Sequence, residues 1–334
     1  MVGCSLPSIA ALMGLLLNHR ATTAFMPALR QPKSSSLVFT RLSSSSTPNN
    51  VGDVKPLLLT FDLDDTLFPI GPVVQEANDK MYATMIELGV LGVTENDYMS
   101  ATKAIRQEIT SPITYSDLRK RAIATFADAS LENHEDIVQQ IFDAWLNERH
   151  SAAERYLFDG VQESLQELRT MYESSSICIA AITNGRGNPL CMPNTLSSHF
   201  DFCVSGEDDG VFPERKPNEG IYQAALARYH GSDKCKDIDN YVWIHVGDCL
   251  GNDVGASADL GARAVWVSAD DVGSSSGDDG KQKWSTATPS EVEARAKLAE
   301  AAKKKASATI SSVTELPLVV SQILDQVASN VPTS

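Results

Sequence analysis

The 334-residue chain has no acidic residue before Asp53 and no apolar run approaching the roughly 18 residues that span a bilayer. Its six cysteines (Cys4, Cys178, Cys191, Cys203, Cys235 and Cys249) form no C-x-x-C pair and no His-rich cluster. These absences argue against a membrane helix, stable membrane association, a disulfide framework and a cysteine zinc site. Positive charge is scarce: 28 Lys+Arg stand against 43 Asp+Glu, a formal −15. Such a chain has no global positive field to attract nucleic acid. What is there, 43% hydrophobic and 21% charged residues, is a globular composition. The length suits one large α/β domain with an inserted subdomain, or two ordinary domains.

The charge is uneven. Arg20, Arg30, Lys33 and Arg41 give residues 1–52 a charge of +4, which leaves −19 for the remainder. Ile9 to Leu17 is a short apolar run of signal-peptide type, followed by small residues at Ala21-Thr22-Thr23-Ala24. Residues 28–50 are rich in Ser, contain Arg and Lys and lack acids, as transit peptides do. A signal segment joined to a transit segment at Ala24-Phe25-Met26-Pro27 resembles the bipartite presequences of algae with complex plastids, such as diatoms. That resemblance implies a plastid stroma address. A plain secretory signal with a polar linker is the alternative. Residues 1–52 are therefore set apart from the fold.

Leu57-Leu58-Leu59-Thr60-Phe61 is a continuous apolar run, as central strands of parallel sheets are. From about Val73 to Asn147 the periodicity becomes helical, with helices expected over 73–89, 95–108, 115–128 and 133–147. Strand and helix then alternate. Strands are expected over 177–182, 201–205, 241–246 and 262–267, and helices over 159–172, 218–229 (with Asn218 as cap) and 253–260. Gly273 to Gly280 is low-complexity, 290–305 reads as a solvated helix, and 309–310 and 316–323 as a last edge strand and helix. The pattern predicts an α/β fold: a parallel sheet between helical layers, with a helical insertion.

Chemistry concentrates at strand carboxyl ends, where open α/β sheets bind ligands. Asp62, Asp64 and Asp65 crowd the end of the first strand, and strand alternation would point Asp62 and Asp64 the same way. Carboxylates so close repel unless a cation or proton resolves the clash. Gly247-Asp248-Cys249-Leu250-Gly251-Asn252-Asp253 again places acids after an apolar strand, with Gly247 allowing close backbone approach. Ile182-Thr183-Asn184-Gly185 ends a strand with a hydroxyl and backbone N–H groups. Arg215-Lys216-Pro217 sits in a loop before a helix. The structural alternatives are acidic turns and ordinary loops. Together the four supply a carboxylate nucleophile, an acid/base, a divalent-cation site, a hydroxyl for phosphate and a fixed positive charge, which are parts for phosphoryl transfer.

With these four motifs in order over residues 56–323, the sequence resembles the haloacid dehalogenase-like (HAD) hydrolase superfamily. The resemblance implies a three-layer Rossmann-like core over 53–71 and 156–330, with a partly disordered insert at 268–306, and a helical cap over 72–155. It implies that Asp62 is a nucleophile forming an aspartyl-phosphate and that Asp64 is the general acid/base. It implies Mg²⁺ held by Asp62, the backbone carbonyl of Asp64 and Asp248, with Asp253 behind them. Thr183 and the Asn184 N–H would bind phosphoryl oxygens, and Lys216 would neutralise Asp62 and phosphate. True dehalogenases of the superfamily lack the second aspartate, so Asp64 favours a phosphatase. Asp65 stands where many members have Gly and receives no role. Phe68 to Pro72 would form a hinge and flap, and Tyr82, Arg106, Tyr115 and Arg119 are candidate substrate contacts from the cap.

Residues 181–185, 245–248 and 253–255 further resemble a branch acting on riboflavin-pathway phosphates, which implies 5-amino-6-(5-phospho-ribitylamino)uracil or FMN as substrate. Phosphoglycolate or a sugar phosphate is the alternative. A dehalogenase, a phosphonatase using Lys80, Lys103 or Lys120, and a non-catalytic HAD scaffold are less favoured. The implied partner is a small phosphorylated metabolite. Oligomeric state is not legible. His245, inside a strand, reads as a structural core histidine.

Overall fold

A computed structural model describes residues 55–235, 237–268 and 289–329. The presequence expected over 1–52 and the low-complexity 273–280 lie outside the described residues, as does much of the expected insert. Six strands form one sheet in the order β3-β2-β1-β4-β5-β6, and every neighbouring pair is parallel. They are β1 (Leu57–Phe61), β2 (Ile177–Thr183), β3 (Phe202–Ser205), β4 (Val242–Gly247), β5 (Arg263–Val267) and β6 (Ala308–Ile310). β1 is central: Leu57 pairs with Ile177 on one side and Val242 on the other.

All five residues of β1 are buried because both sheet faces are covered. Leu57, Leu59 and Phe61 face a cluster that includes Leu165 and Leu168 of α5 (Val161–Met171) and Leu316 and Val320 of α9 (Leu316–Ser329). Leu58 faces the opposite cluster, with Cys178, Ala180 and Trp243 of the sheet and Ile221, Tyr222 and Tyr229 of α6 (Glu219–His230). The period-2 alternation of strand side chains thus builds three layers. α7 (Ala256–Asp259) and α8 (Pro289–Ala302) complete the described helices of this part.

Between β1 and β2 run α1 (Ile70–Glu87), α2 (Glu95–Glu108), α3 (Tyr115–Ala124) and α4 (His134–Arg155). They bury their own cluster, which includes Ala77, Met81 and Met85 of α1 and Ile137, Ile141 and Trp145 of α4. The i, i+4 and i, i+3/i+4 spacings give each helix one apolar stripe. Thr94 and Thr114 cap α2 and α3 by accepting the N–H of Asp97 and Asp117, and Asp97 completes a capping box.

Several boundaries differ from expectation. α1 starts at Ile70, not Val73, because Pro72 lies in the first turn, where a missing N–H costs no hydrogen bond. Of the expected hinge and flap over 68–72, Phe68 is fully buried and bridges to Asp64, and residues 70–72 form the first turn of α1. α4 runs eight residues beyond Asn147, because Arg149, His150, Ala152 and Ala153 are buried. Asn218 precedes α6, but its side chain makes no cap hydrogen bond. A helix expected from Asp253 is a π-type turn over Leu250–Gly255 that leads into the four-residue α7.

Candidate active site

The carboxyl end of β1 positions the first acid. Asp62 continues the ladder through its N–H to the Val246 carbonyl (2.8 Å), which leaves its buried side chain at the sheet edge. Lys216 reaches that edge from the loop before α6. Its Nζ donates to Asp62 Oδ1 and to Asp253 Oδ1, the latter at 2.7 Å. Asn184 fixes the lysine's backbone from both sides: Asn184 Oδ1 accepts the Lys216 N–H (2.7 Å) and Asn184 Nδ2 donates to the Lys216 carbonyl (3.0 Å). The side chain of Asn184 is thus engaged in holding the lysine loop. Thr183 is buried, and its Oγ1 accepts the N–H of Gly185 (3.3 Å).

Asp253 is delivered by the π-type turn after β4. Its Oδ2 accepts the Cys249 N–H (3.1 Å), and His245 Nε2 lies 3.4 Å from its Oδ1. A Cβ on Gly247 would sit 2.4 Å from the Asp253 carboxyl carbon. The close approach that Gly247 permits is therefore to this side chain. His245 is buried among Thr60, Tyr222 and Asp253, and burial holds its imidazole below the usual range, hence neutral. It reads as structural, as its strand position implies.

Thr66 ties two acids together. Its Oγ1 accepts the Asp248 N–H (3.1 Å) and lies 3.4 Å from Asp62 Oδ2 and 3.3 Å from Asp248 Oδ1. Trp266 Nε1 donates to the Asp248 carbonyl (2.9 Å). The strand ends at Phe61, so strand alternation does not extend over Asp62 and Asp64. Asp65 instead adopts a left-handed backbone (φ 61°), and its carboxylate accepts the Ile70 N–H at 2.9 Å. Gly and Asp/Asn are the residues that tolerate that conformation. Asp65 thus turns the chain into α1. Asp64 is held by a different cation from Asp62: Arg149 Nη2 of α4 donates to Asp64 Oδ1 (2.7 Å) and Oδ2 (2.9 Å).

The electrostatics follow from burial. Burial, only partly offset by Lys216, pushes Asp62 up to about 7. Burial and the neighbouring Asp62 and Asp253 hold Asp248 well above the carboxylate range. Burial also works against Asp253, but Lys216 and His245 outweigh it and pull that group down to about 2. Lys216 is buried too, yet Asp253 and Asp62 keep it charged well above its ordinary range.

Asp62, Asp248 and Asp253 each offer an oxygen, all within 4.8 Å of one another. An all-oxygen, multiply anionic set suits a hard divalent cation. Both Asp253 oxygens are already engaged, whereas Asp62 Oδ2 and the Asp248 carboxylate meet only the Thr66 hydroxyl among the described contacts. Asp62 and Asp248 are the residues that could hold a metal, with Asp253 anchoring the lysine behind them.

A chain profile described as "Hydrolase: haloacid dehalogenase-like hydrolase" matches residues 57–261. The chain belongs to this family. The 5-amino-6-(5-phospho-D-ribitylamino)uracil phosphatase YigB of Escherichia coli (strain K12) is 24% identical over 211 residues, 63% of this chain and 82% of that protein. The crystal structure of 2-haloacid dehalogenase from Pseudomonas syringae pv. Tomato DC3000 superposes with a TM-score of 0.56 at 22% identity, covering 80% of this chain and 99% of that one. This likeness bears out the α/β Rossmann-like fold. The HAD hydrolase YfnB of Bacillus subtilis is 15% identical, covering 81% of this chain and 99% of that one, with a TM-score of 0.43.

A cleft of about 600 Å³ meets the site at Asn184 and Lys216 and is lined also by Arg106, Thr110, Tyr115 and Arg215, among others, but by none of Asp62, Asp64, Asp248 and Asp253. Of the four helical residues singled out by sequence, Arg106 and Tyr115 line it. Arg119 packs inside the helical layer instead. It donates to Asn78 Oδ1 (3.2 Å) and the Tyr98 hydroxyl (3.1 Å) and lies 3.8 Å over the Trp145 ring. Tyr82 packs edge-on against Tyr98. Sequence reasoning missed Thr66 and Arg149. Thr66 lies within the first motif and could have been noticed there. Arg149 is 85 residues from Asp64 and carries no local signal.

Proposed function

We propose that this hydrolase is a Mg²⁺-dependent phosphomonoester phosphatase working through an aspartyl-phosphate on Asp62. The carrying observation is the second carboxylate: Asp64 follows Asp62 by two residues yet is held by its own cation, apart from the Lys216 that engages Asp62. One acid is thereby free to attack while the other moves a proton. Asp62 attacks phosphorus, and its new O–P bond forms as the bond to the leaving oxygen breaks. Asp64 gives that oxygen a proton. It then takes a proton from water, which attacks phosphorus and breaks the O–P bond to Asp62. Lys216 balances the negative charge of Asp62 and the phosphoryl group, and Thr183 and the Asn184 N–H hold phosphoryl oxygens. Asp62, the Asp64 carbonyl and Asp248 would hold Mg²⁺, which would supply further charge neutralisation there.

For substrate we propose 5-amino-6-(5-phospho-D-ribitylamino)uracil first and FMN second. The likeness to the Escherichia coli phosphatase of that name supports the order, and phosphoglycolate and sugar phosphates are the alternatives. The test is phosphate release by the purified chain from a panel of phosphomonoesters, with and without Mg²⁺. Mg²⁺-dependent release with the two flavin-pathway esters preferred is expected. No preference for them overturns the substrate choice, and no release from any ester overturns the phosphatase. Asp62→Asn should lower turnover at least about 10³-fold while the folded state persists, since it removes the nucleophile.

A further inference from the structure

Arg149 is a buried cation, with its side chain 4% exposed, whose hydrogen bonds run to the two carboxylate oxygens of Asp64. Its Nη1 is buried with no hydrogen-bond partner among the described residues. A buried guanidinium is costly unless paired, and among the described residues Asp64 is the carboxylate that pairs with this one. Its seat is shaped around it. A Cβ on Gly187 would fall 2.7 Å from Nη1 and 3.3 Å from Nη2. The next residue, His150, meets the Arg186 carbonyl through Nε2 (3.1 Å). The end of α4 is therefore lodged against the loop that carries Thr183 to Gly185, with its guanidinium on the acid.

We propose that Arg149 is the positioning residue for Asp64: the helical layer supplies the cation that aims the proton-transferring carboxylate. A carboxylate 29% exposed at the tip of a turn has several rotamers open to it. Contact of one nitrogen with both oxygens selects one of them. Proton transfer to the leaving group needs that alignment, and nucleophilic attack by Asp62 does not. The inference rests on the phosphatase reading above, and its test separates the two.

The experiment compares kcat/KM of the full chain and Arg149→Met on an alkyl phosphate, whose leaving oxygen must be protonated, and on p-nitrophenyl phosphate, whose leaving group departs as an anion. The alkyl ester should lose about 10²-fold and the nitrophenyl ester less than about 5-fold, following the usual worth of general acid catalysis. In an Asp64→Asn background, adding Arg149→Met should cost nothing further, because the two act as a unit. Arg149→Lys should restore part of the alkyl-ester rate. Gly187→Ala, which crowds the guanidinium, should reproduce the leaving-group dependence in milder form. Those two variants carry the test if Arg149→Met does not fold. Equal losses on both esters, or a full further loss without Asp64, would make Arg149 a structural residue only. If the unmodified chain hydrolyses neither ester, the phosphatase reading falls, and this inference with it.

Discussion

At the scale of single residues, Asp62 concentrates the conflict between burial and charge. Its carboxyl is raised to about 7, so the folded state holds a proton that the unfolded chain releases near pH 4. Its contribution to stability is present below about pH 4 and is lost as pH rises through about 7. Asp253, pulled down to about 2, behaves oppositely and is constant over the same range. Thermal melting of the metal-free protein between pH 5 and 8 should therefore show Asp62→Asn gaining on the unmodified chain as pH rises. A difference that stays flat with pH contradicts this assignment. Residues such as Asp62, Asp248, Thr183 and Lys216 were legible in the sequence because each sits in a short local pattern at a strand end. Asp65 was legible as a residue but not as a turn, since its left-handed backbone shows only in three dimensions.

At the scale of elements, α3 is begun by a residue it does not contain. Glu207, in the loop after β3, has no exposed side-chain surface. It accepts the Tyr115 N–H (2.5 Å), the Ser116 N–H (3.3 Å) and the Ser116 hydroxyl (2.5 Å). Arg186 and Arg215 pair with the same carboxylate at 3.2 and 3.5 Å, and the Arg215 guanidinium lies 3.7 Å over the Tyr115 ring. A carboxylate at a helix N-terminus meets both unsatisfied N–H groups and the positive end of the dipole. Glu207→Gln should thus destabilise the protein by about 1–3 kcal/mol, because an amide in that buried position loses the charge that faces the α3 N-terminus and keeps only one accepting oxygen for the Tyr115 and Ser116 donors. Denaturant unfolding would measure this, and a loss under about 0.5 kcal/mol would show the joint to be incidental. Nothing local marks Glu207 in the sequence. The extension of α4 to Arg155 was hidden for the same reason: Glu148-Arg149-His150 reads as a polar helix end until Asp64 and Arg186 are seen to cover it. The strands were legible because burial on both faces leaves continuous apolar runs.

At the scale of the whole molecule, alternation of strands and helices identified the parallel sheet, and the structure adds the order that puts β1 between β2 and β4. No described helix is long and apolar enough to cross a membrane. The basic, acid-free residues 1–52 lie outside the described structure, and for them we propose the plastid address that their resemblance implies. Residues 1–60 fused to a fluorescent protein should be delivered to the plastid of a diatom. Secretion or retention in the endoplasmic reticulum would favour the plain signal peptide.

The central place of β1 also sets an order of assembly. Leu57 leaves the ribosome long before Ile177 and Val242, the residues it must pair with. Until β4 is made, this wholly buried strand has at least one open edge and no completed layer on either face. Long-range pairing of this kind slows folding and leaves nascent chains prone to associate. The strand that presents Asp62 is thus the first part of the sheet to be synthesised and among the last to be enclosed.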